Sequence, residues 1–158
     1  MKRDTPVILP RSVELEQLAE SLLAQLDKAI PLDRAAFCRV SAPGEIELLA
    51  ISPATGGGPP AGLKLPFEAV LGAEAVRAGL AIEVDLAESP LPFDRQLVAA
   101  GYRRALRLPV RGDGVAVAAL ALVRRTERFT ESQIACAIDI VGRASPAILA
   151  MRARERAS

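Results

Sequence analysis

Arg103 and Arg104 stand side by side in a segment with strand-like alternation, and neighbours on a strand point to opposite faces. At most one of these guanidiniums faces inward, where it needs a carboxylate or an anionic ligand. Asp85 is the carboxylate that would serve. The pair therefore reads as the anchor for a small anionic metabolite. Glu45/Glu47 and Glu83/Asp85 are spaced (i, i+2) on strand-like segments, so each pair shares a face. Paired carboxylates are the raw material of acid–base catalysis. A chain with 19 acidic residues contains such pairs by composition alone, however, and they read as solvated strand faces.

Residue types exclude much other chemistry. Histidine is absent, which removes His-based metal sites, Ser-His and Cys-His nucleophiles and a His ligand to haem. Of the 2 cysteines, Cys38 falls in a predicted strand and Cys136 in a predicted helix, without close acidic ligands. They read as small buried apolar residues rather than a zinc site or a disulfide framework. Gly56-Gly57-Gly58 lacks both the Lys-Ser/Thr ending and the helix that a phosphate loop requires. No cofactor is legible.

The elements that position these residues belong to one domain. A length of 158 residues and 51% hydrophobic content supply one core, built mostly of Ala, Val and Leu because aromatics are only 3%. A net charge of +1 draws the chain to neither nucleic acid nor anionic membrane. With no Trp and a single Tyr, base-stacking platforms are not expected. Met1-Lys2-Arg3-Asp4 begins no signal peptide, and no run approaches a spanning helix, so the expected location is cytoplasmic.

Pro6 and Pro10 make residues 1–11 a flexible tail. Ser12 can cap a helix to about Ile30, with Leu15, Leu18, Leu22, Leu26 and Ile30 at helical spacing. Strands follow at 35–40, 46–51 and 63–67, the last an edge strand that tolerates Pro66. A helix over Glu68–Ala78 stops at Gly79, an extended piece covers Ala81–Val84, and a short helix covers Phe93–Ala100. Leu106, Leu108 and Val110 share one face of the next strand, with Arg107 and Arg111 on the other. Gly112-Asp113-Gly114 supplies a hairpin turn. Thr130 and Gln133 form a capping box, flanked by a Phe129–Ile134 staple. The final helix runs from Glu131 towards Arg156 with a stripe of Ile134, Ile138, Val141 and Ile148. Pro146 inside it predicts a kink or break near Gly142 to Ser145.

Leu108-Pro109-Val110, a Gly-centred turn, an Ala/Leu-rich strand, a basic loop and Phe129-Thr130-Glu131 at a helix start resemble the C-terminal half of a GAF domain. Leu32 to Phe37, Leu65-Pro66, Val76 to Gly79 and Val84-Asp85-Leu86 extend the resemblance over roughly 12–152, with 153–158 as a helix end or connector. It implies an α+β fold of α/β/α layers. A central antiparallel sheet of five or six strands would carry the terminal helices on one face and a mid-chain crossover on the other. The ligand pocket it implies is lined by Phe67, Val70, Leu71, Val84, Leu86, Phe93, Leu97 and Tyr102, with Arg77, Asp85, Arg103 and Arg104 as polar candidates. Asp85 resembles a recurring family Asp whose expected role is to hold loop amides.

Specialised relatives are not matched. The free methionine sulfoxide reductase needs cysteines that 66–104 lacks, the bilin photoreceptors' Cys and His are missing, and Phe93-Asp94 is a fragment of the cyclic-nucleotide signature. What the resemblance implies is a non-catalytic sensory module of signal transduction. It would relay a ligand through its terminal helices to an attached kinase, cyclase or transcription-activation domain, as a homodimer through those helices. The alternative is a dimerisation or protein-interaction module with a filled or vestigial pocket, in which Leu15, Leu22 and the final helix form the bundle.

Overall fold

The computed structural model describes residues 11–41, 44–53 and 57–157. The tail expected before Arg11 lies outside these residues. Six strands form one antiparallel sheet: β1 (Arg34–Ser41), β2 (Glu45–Ser52), β3 (Lys64–Pro66), β4 (Ile82–Asp85), β5 (Arg104–Gly112) and β6 (Val115–Arg124). Their order is β3-β2-β1-β6-β5-β4, with every neighbouring pair antiparallel.

The helices α1 (Arg11–Ala29) and α4 (Glu131–Ala157) cover one face. Leu15, Leu22, Leu23 and Leu26 of α1 and Ala137, Ile140, Val141 and Ile148 of α4 join Phe37, Leu106, Leu108, Leu120 and Leu122 of the sheet in one buried core. Each fully buried side chain of this size contributes about 1.5–3 kcal/mol, so apolar area alone secures this layer. The opposite face carries the crossover, residues 67–101. It comprises a 3-10 turn at Phe67–Ala69, α2 (Ala73–Arg77), β4, a second 3-10 turn at Leu86–Glu88 and α3 (Pro92–Ala99).

The local chemistry of the C-terminal half forms as expected. Asp113 (φ 55°) and Gly114 (φ 77°) make a two-residue hairpin turn with both central residues left-handed. Gln133 donates its amide to Thr130 Oγ1 (3.1 Å) and Thr130 donates its own to Gln133 Oε1 (3.0 Å), closing the capping box. Phe129 is buried, with Ile134 packed on the same cluster.

Several expectations fail, each for a local reason. The helix expected over Glu68–Ala78 is split, because Gly72 adopts φ 89°, and a Cβ there would stand 2.9 Å from Ile82 Cγ2. Of the kink or break expected near Gly142 to Ser145, the break is absent, and α4 is continuous from Glu131 to Ala157. Gly142, whose carbonyl loses its intrahelical partner, and Pro146 are both exposed, so the freed carbonyl is open to solvent while α1 and the sheet brace the helix from within. Ile138 is 50% exposed, and Ile140 occupies the core in its place. Leu15 and Leu22 are buried in the chain's own core, so neither is free for a partner's helix. By length and composition the 25-residue stretch Glu131–Glu155 could cross a membrane, since an 18-residue window within it has mean hydropathy 1.6, against the expectation that no run approaches this. Only 22% of that apolar window is buried, which leaves α4 with a broad uncovered side.

Candidate functional site

Between sheet and crossover the residues expected to line a pocket divide into two apolar clusters. Phe67, Val70, Ala73 and Val76 pack on Cys38, Val40, Ile46 and Leu48. Val84, Leu86, Leu97 and Tyr102 pack on Ala105 and Val123, with Leu71 and Phe93 at the margin. The cavity left within the first cluster, touched by Phe67, Val70 and Phe93, is about 40 Å³. That is room for a water but far below the roughly 300–1,000 Å³ of small-molecule sites, so side chains leave no space for a metabolite at this centre. Burial pushes the Cys38 thiol up to about 12, against weaker opposing effects of Arg107 and Arg34. It is a neutral packing group at physiological pH.

Polar ties hold the crossover on this face. Asp94, fully buried in the first turn of α3, accepts from Arg107 Nη2 (2.7 Å), Ser89 Oγ (2.7 Å) and the Leu71 amide (2.9 Å). Arg107 also donates to the Leu71 carbonyl (2.5 Å). One ion pair thus joins the strand to three separate stretches of crossover. Arg34, 5% exposed, similarly holds the glycine- and proline-rich loop through the carbonyls of Gly57 (3.2 Å) and Pro59 (2.5 Å), and burial lowers its pKa.

Arg104 opens β5 and Arg103 precedes it, and neither residue reaches the central cavity. Arg103 is 53% exposed and grips Asp85 through Nε (2.7 Å) and Nη2 (3.3 Å). The Arg103 bond, chiefly, holds the Asp85 carboxyl below its ordinary range, against a smaller opposing effect of burial. Asp85 also accepts the Ala87 amide (3.0 Å), which is the loop-holding role expected of it. Arg104 lines an open cleft of about 390 Å³ at the sheet's end, with Tyr102, Arg103, Arg125 and Thr126.

A pocket of about 440 Å³ lies where the sheet splits. The β1–β6 ladder stops at Arg39 and Ala118. Between Val110 and Arg111 the β5–β6 register shifts, leaving Val117 unmatched, and such a bulge bends its strand away. Arg152, from the last turns of α4 and 5% exposed, fills the gap by donating to the carbonyls of Val40 (2.7 Å) and Val117 (3.1 Å). It is fixed in turn by Glu155 (2.5 Å), which also pairs with Arg39 (2.7 Å). The walls are Val40, Phe67, Val115, Ala116 and Val117, with Arg77 at the rim. Arg77 lies over the Phe67 ring at 5.2 Å and pairs with Glu68 at 2.5 Å.

Asp94, Arg107 and Arg152 are missing from the residues singled out by sequence. In the sequence Arg152, Arg154 and Arg156 alternate with Ala153, Glu155 and Ala157 at the end of the last helix, which reads as a solvated helix end, and Arg107 falls on the strand face opposite Leu106, Leu108 and Val110. The usable signal for Arg107 is its place between Leu106 and Leu108 on a strand covered on both faces, where an arginine needs a buried partner.

The sequence profile of the GAF domain family matches residues 14–148. No curated protein sequence matches. Among solved structures, the chain resembles the GAF domain of a two-component sensor histidine kinase from Bacillus halodurans (16% identity, 89% of this chain and 97% of that one, TM-score 0.76). It also resembles a GAF domain/HD domain protein from Geobacter sulfurreducens (15% identity, 89% and 95%, TM-score 0.72). A third is the phycoerythrobilin-bound GAF domain of a cyanobacterial phytochrome (16% identity, 95% and 100%, TM-score 0.69). At these identities the likeness is one of fold.

Proposed function

The chain belongs to the GAF domain family, and from that premise we propose that it senses a small, largely apolar molecule at the split end of its sheet and relays occupancy through α4. GAF domains serve as sensory and regulatory modules of signalling proteins such as histidine kinases and phytochromes, and are generally non-catalytic. The observation that carries the reading is Arg152, which lines the 440 Å³ pocket and also bridges its two walls from α4. That volume lies within the usual range for small-molecule sites, and apolar walls with a few fixed polar groups suit one. A ligand that changes the spacing of β1 and β6 must move Arg152, and α4 with it. A difference in affinity of about 1–3 kcal/mol between two α4 positions suffices for regulation. The receiver is an attached kinase, cyclase or transcription-activation domain in the cytoplasm.

Native mass spectrometry of protein purified from cells tests this. The expected result is a retained small molecule, absent from Ala116→Phe, which fills the pocket. Its binding should alter hydrogen exchange in the last turns of α4, and Arg152→Met should abolish that change while binding persists. Retention by Ala116→Phe at the parent level would defeat the proposal.

A second reading, dimerisation with a vestigial pocket, is favoured by the filled centre and by the outer side of α4. There Ala135, Ile138, Gly142, Ala147 and Ala150 are exposed on a long apolar helix. Leu15 and Leu22 take no part in this version. Light scattering over a concentration series should show a dimer that Ile138→Glu dissociates; a concentration-independent monomer removes this reading.

A further inference from the structure

Apart from the split-end pocket, the cleft at the opposite end of β5 and β6 has its own chemistry. Its wall includes Arg103, Arg104 and Arg125 together with Thr126, and no carboxylate. Asp85, the nearest acid, is engaged bidentately by Arg103. Asp33 accepts the Arg125 amide (2.8 Å) rather than its guanidinium. Arg104 pairs across the strands with Arg124 on one side and Asp85 on the other, and like charges directly opposite oppose each other. Arg124 is satisfied by the carbonyls of Pro31 and Arg128, so it brings no carboxylate to the site. Arg104 Nε is buried without a hydrogen-bond partner, the one such side-chain atom among the described residues. Leaving a buried guanidinium N–H unmade costs its full desolvation.

Arg125 is preset beside it. Its guanidinium lies 4.7 Å over the Tyr102 ring, and Nη1 donates to the Ala100 carbonyl (3.1 Å). Gly101, at φ 98°, leaves the space, since a Cβ there would stand 2.6 Å from that Nη1. Arg104 shares the charge of Asp85 with Arg103, so three guanidiniums of the cleft stand against one bonded carboxylate, with Arg125 held flat and Arg104 Nε an unused donor.

We infer that this cleft is an oxyanion site distinct from the split-end pocket, and that it takes a phosphoryl dianion held between Arg104 and Arg125 with the Thr126 hydroxyl as a further donor. Three guanidiniums less the one carboxylate of Asp85 leave an excess of two positive charges, which matches the charge of about −1.5 to −2 on a phosphate monoester at pH 7, and planar donor forks suit phosphate oxygens. The phosphoryl group comes either from inorganic phosphate or from a small phosphomonoester.

Isothermal titration calorimetry at constant ionic strength, with inorganic phosphate, glucose 6-phosphate and chloride as titrants, decides the matter. Saturable binding of a phosphoryl titrant, none of chloride, and at least about tenfold weaker binding by Arg104→Ala are expected. Glucose 6-phosphate binding more tightly than phosphate identifies the organic source; equal or weaker binding identifies the free ion. Without titrant, Arg104→Ala should melt at or above the parent temperature, because an unsatisfied buried donor is gone. Arg125→Ala, at an exposed position, repeats the binding test where folding is not at stake. Chloride binding as well as phosphate, or both variants binding like the parent, overturns the assignment. Because Ala116→Phe fills a different pocket, it should leave phosphate binding unchanged, and the two proposals fail separately.

Discussion

The two faces of the sheet are held by different physics. On the helix face, two long helices meet a continuous layer of Leu, Ile, Val and Phe in one core. Apolar area is non-directional, and the loss of one contact is shared among many neighbours. On the crossover face, short turns and helices of 5 and 8 residues rest on two smaller clusters. They are fixed by directional ties at Asp94, Arg107, Arg34 and Asp85. A layer held by a few ties is the one that loosens when a tie is exchanged. The difference teaches that adaptable structure is concentrated on the crossover, while α4 remains a stiff body able to report.

The largest effect should come from cutting the central tie. Asp94→Ala leaves Arg107 buried and unpaired, and such losses cost about 3–5 kcal/mol. Urea unfolding should show this, and limited proteolysis should cut first within residues 67–101. A loss below about 1 kcal/mol would mean that the crossover is secured by its apolar contacts after all. A smaller effect belongs to the helix face. Thr130→Ala removes the cap of α4 and should cost about 1 kcal/mol, without new cleavage in the crossover; cleavage there would erase the distinction between the faces. The smallest effect concerns Asp85, an exposed tie. Its carboxyl is held below the ordinary range in the folded chain. Its contribution is therefore present above the unfolded value of about 3.9 and lost as pH falls through the lower folded value. Asp85→Asn should lower the melting temperature slightly at pH 7, and the gap should close in acid. A gap that widens in acid would show that another group sets the acid limit.

The helix face was legible in the sequence because its signals are periodic and local. Leu15, Leu22 and Leu26 recur at helical spacing, and Thr130 and Gln133 are only three residues apart. The antiparallel sheet and its layers followed from the ordered resemblance of short segments. The crossover was less legible because its ties join residues far apart in the chain. Asp94 meets Arg107 across 13 positions and Leu71 across 23, and no local pattern announces either. Gly72 is one glycine among many until Ile82 is seen against it. Pro146 misled because helix interruption depends on whether water can reach the freed carbonyl, which burial decides. Arg152 misled because alternating arginines at a helix end look solvated until the bulge at Val117 opens a gap for one of them.

That gap has a consequence for how the chain is made. The residue that closes the seam between β1 and β6 lies 112 positions after Val40. On the ribosome both strands are complete well before Arg152 emerges, and domains form as units once their chain is available. Until then the seam has no clasp, and the nascent sheet is gated by its last helical turns. The same residues that would carry a signal outward are those whose arrival completes the fold.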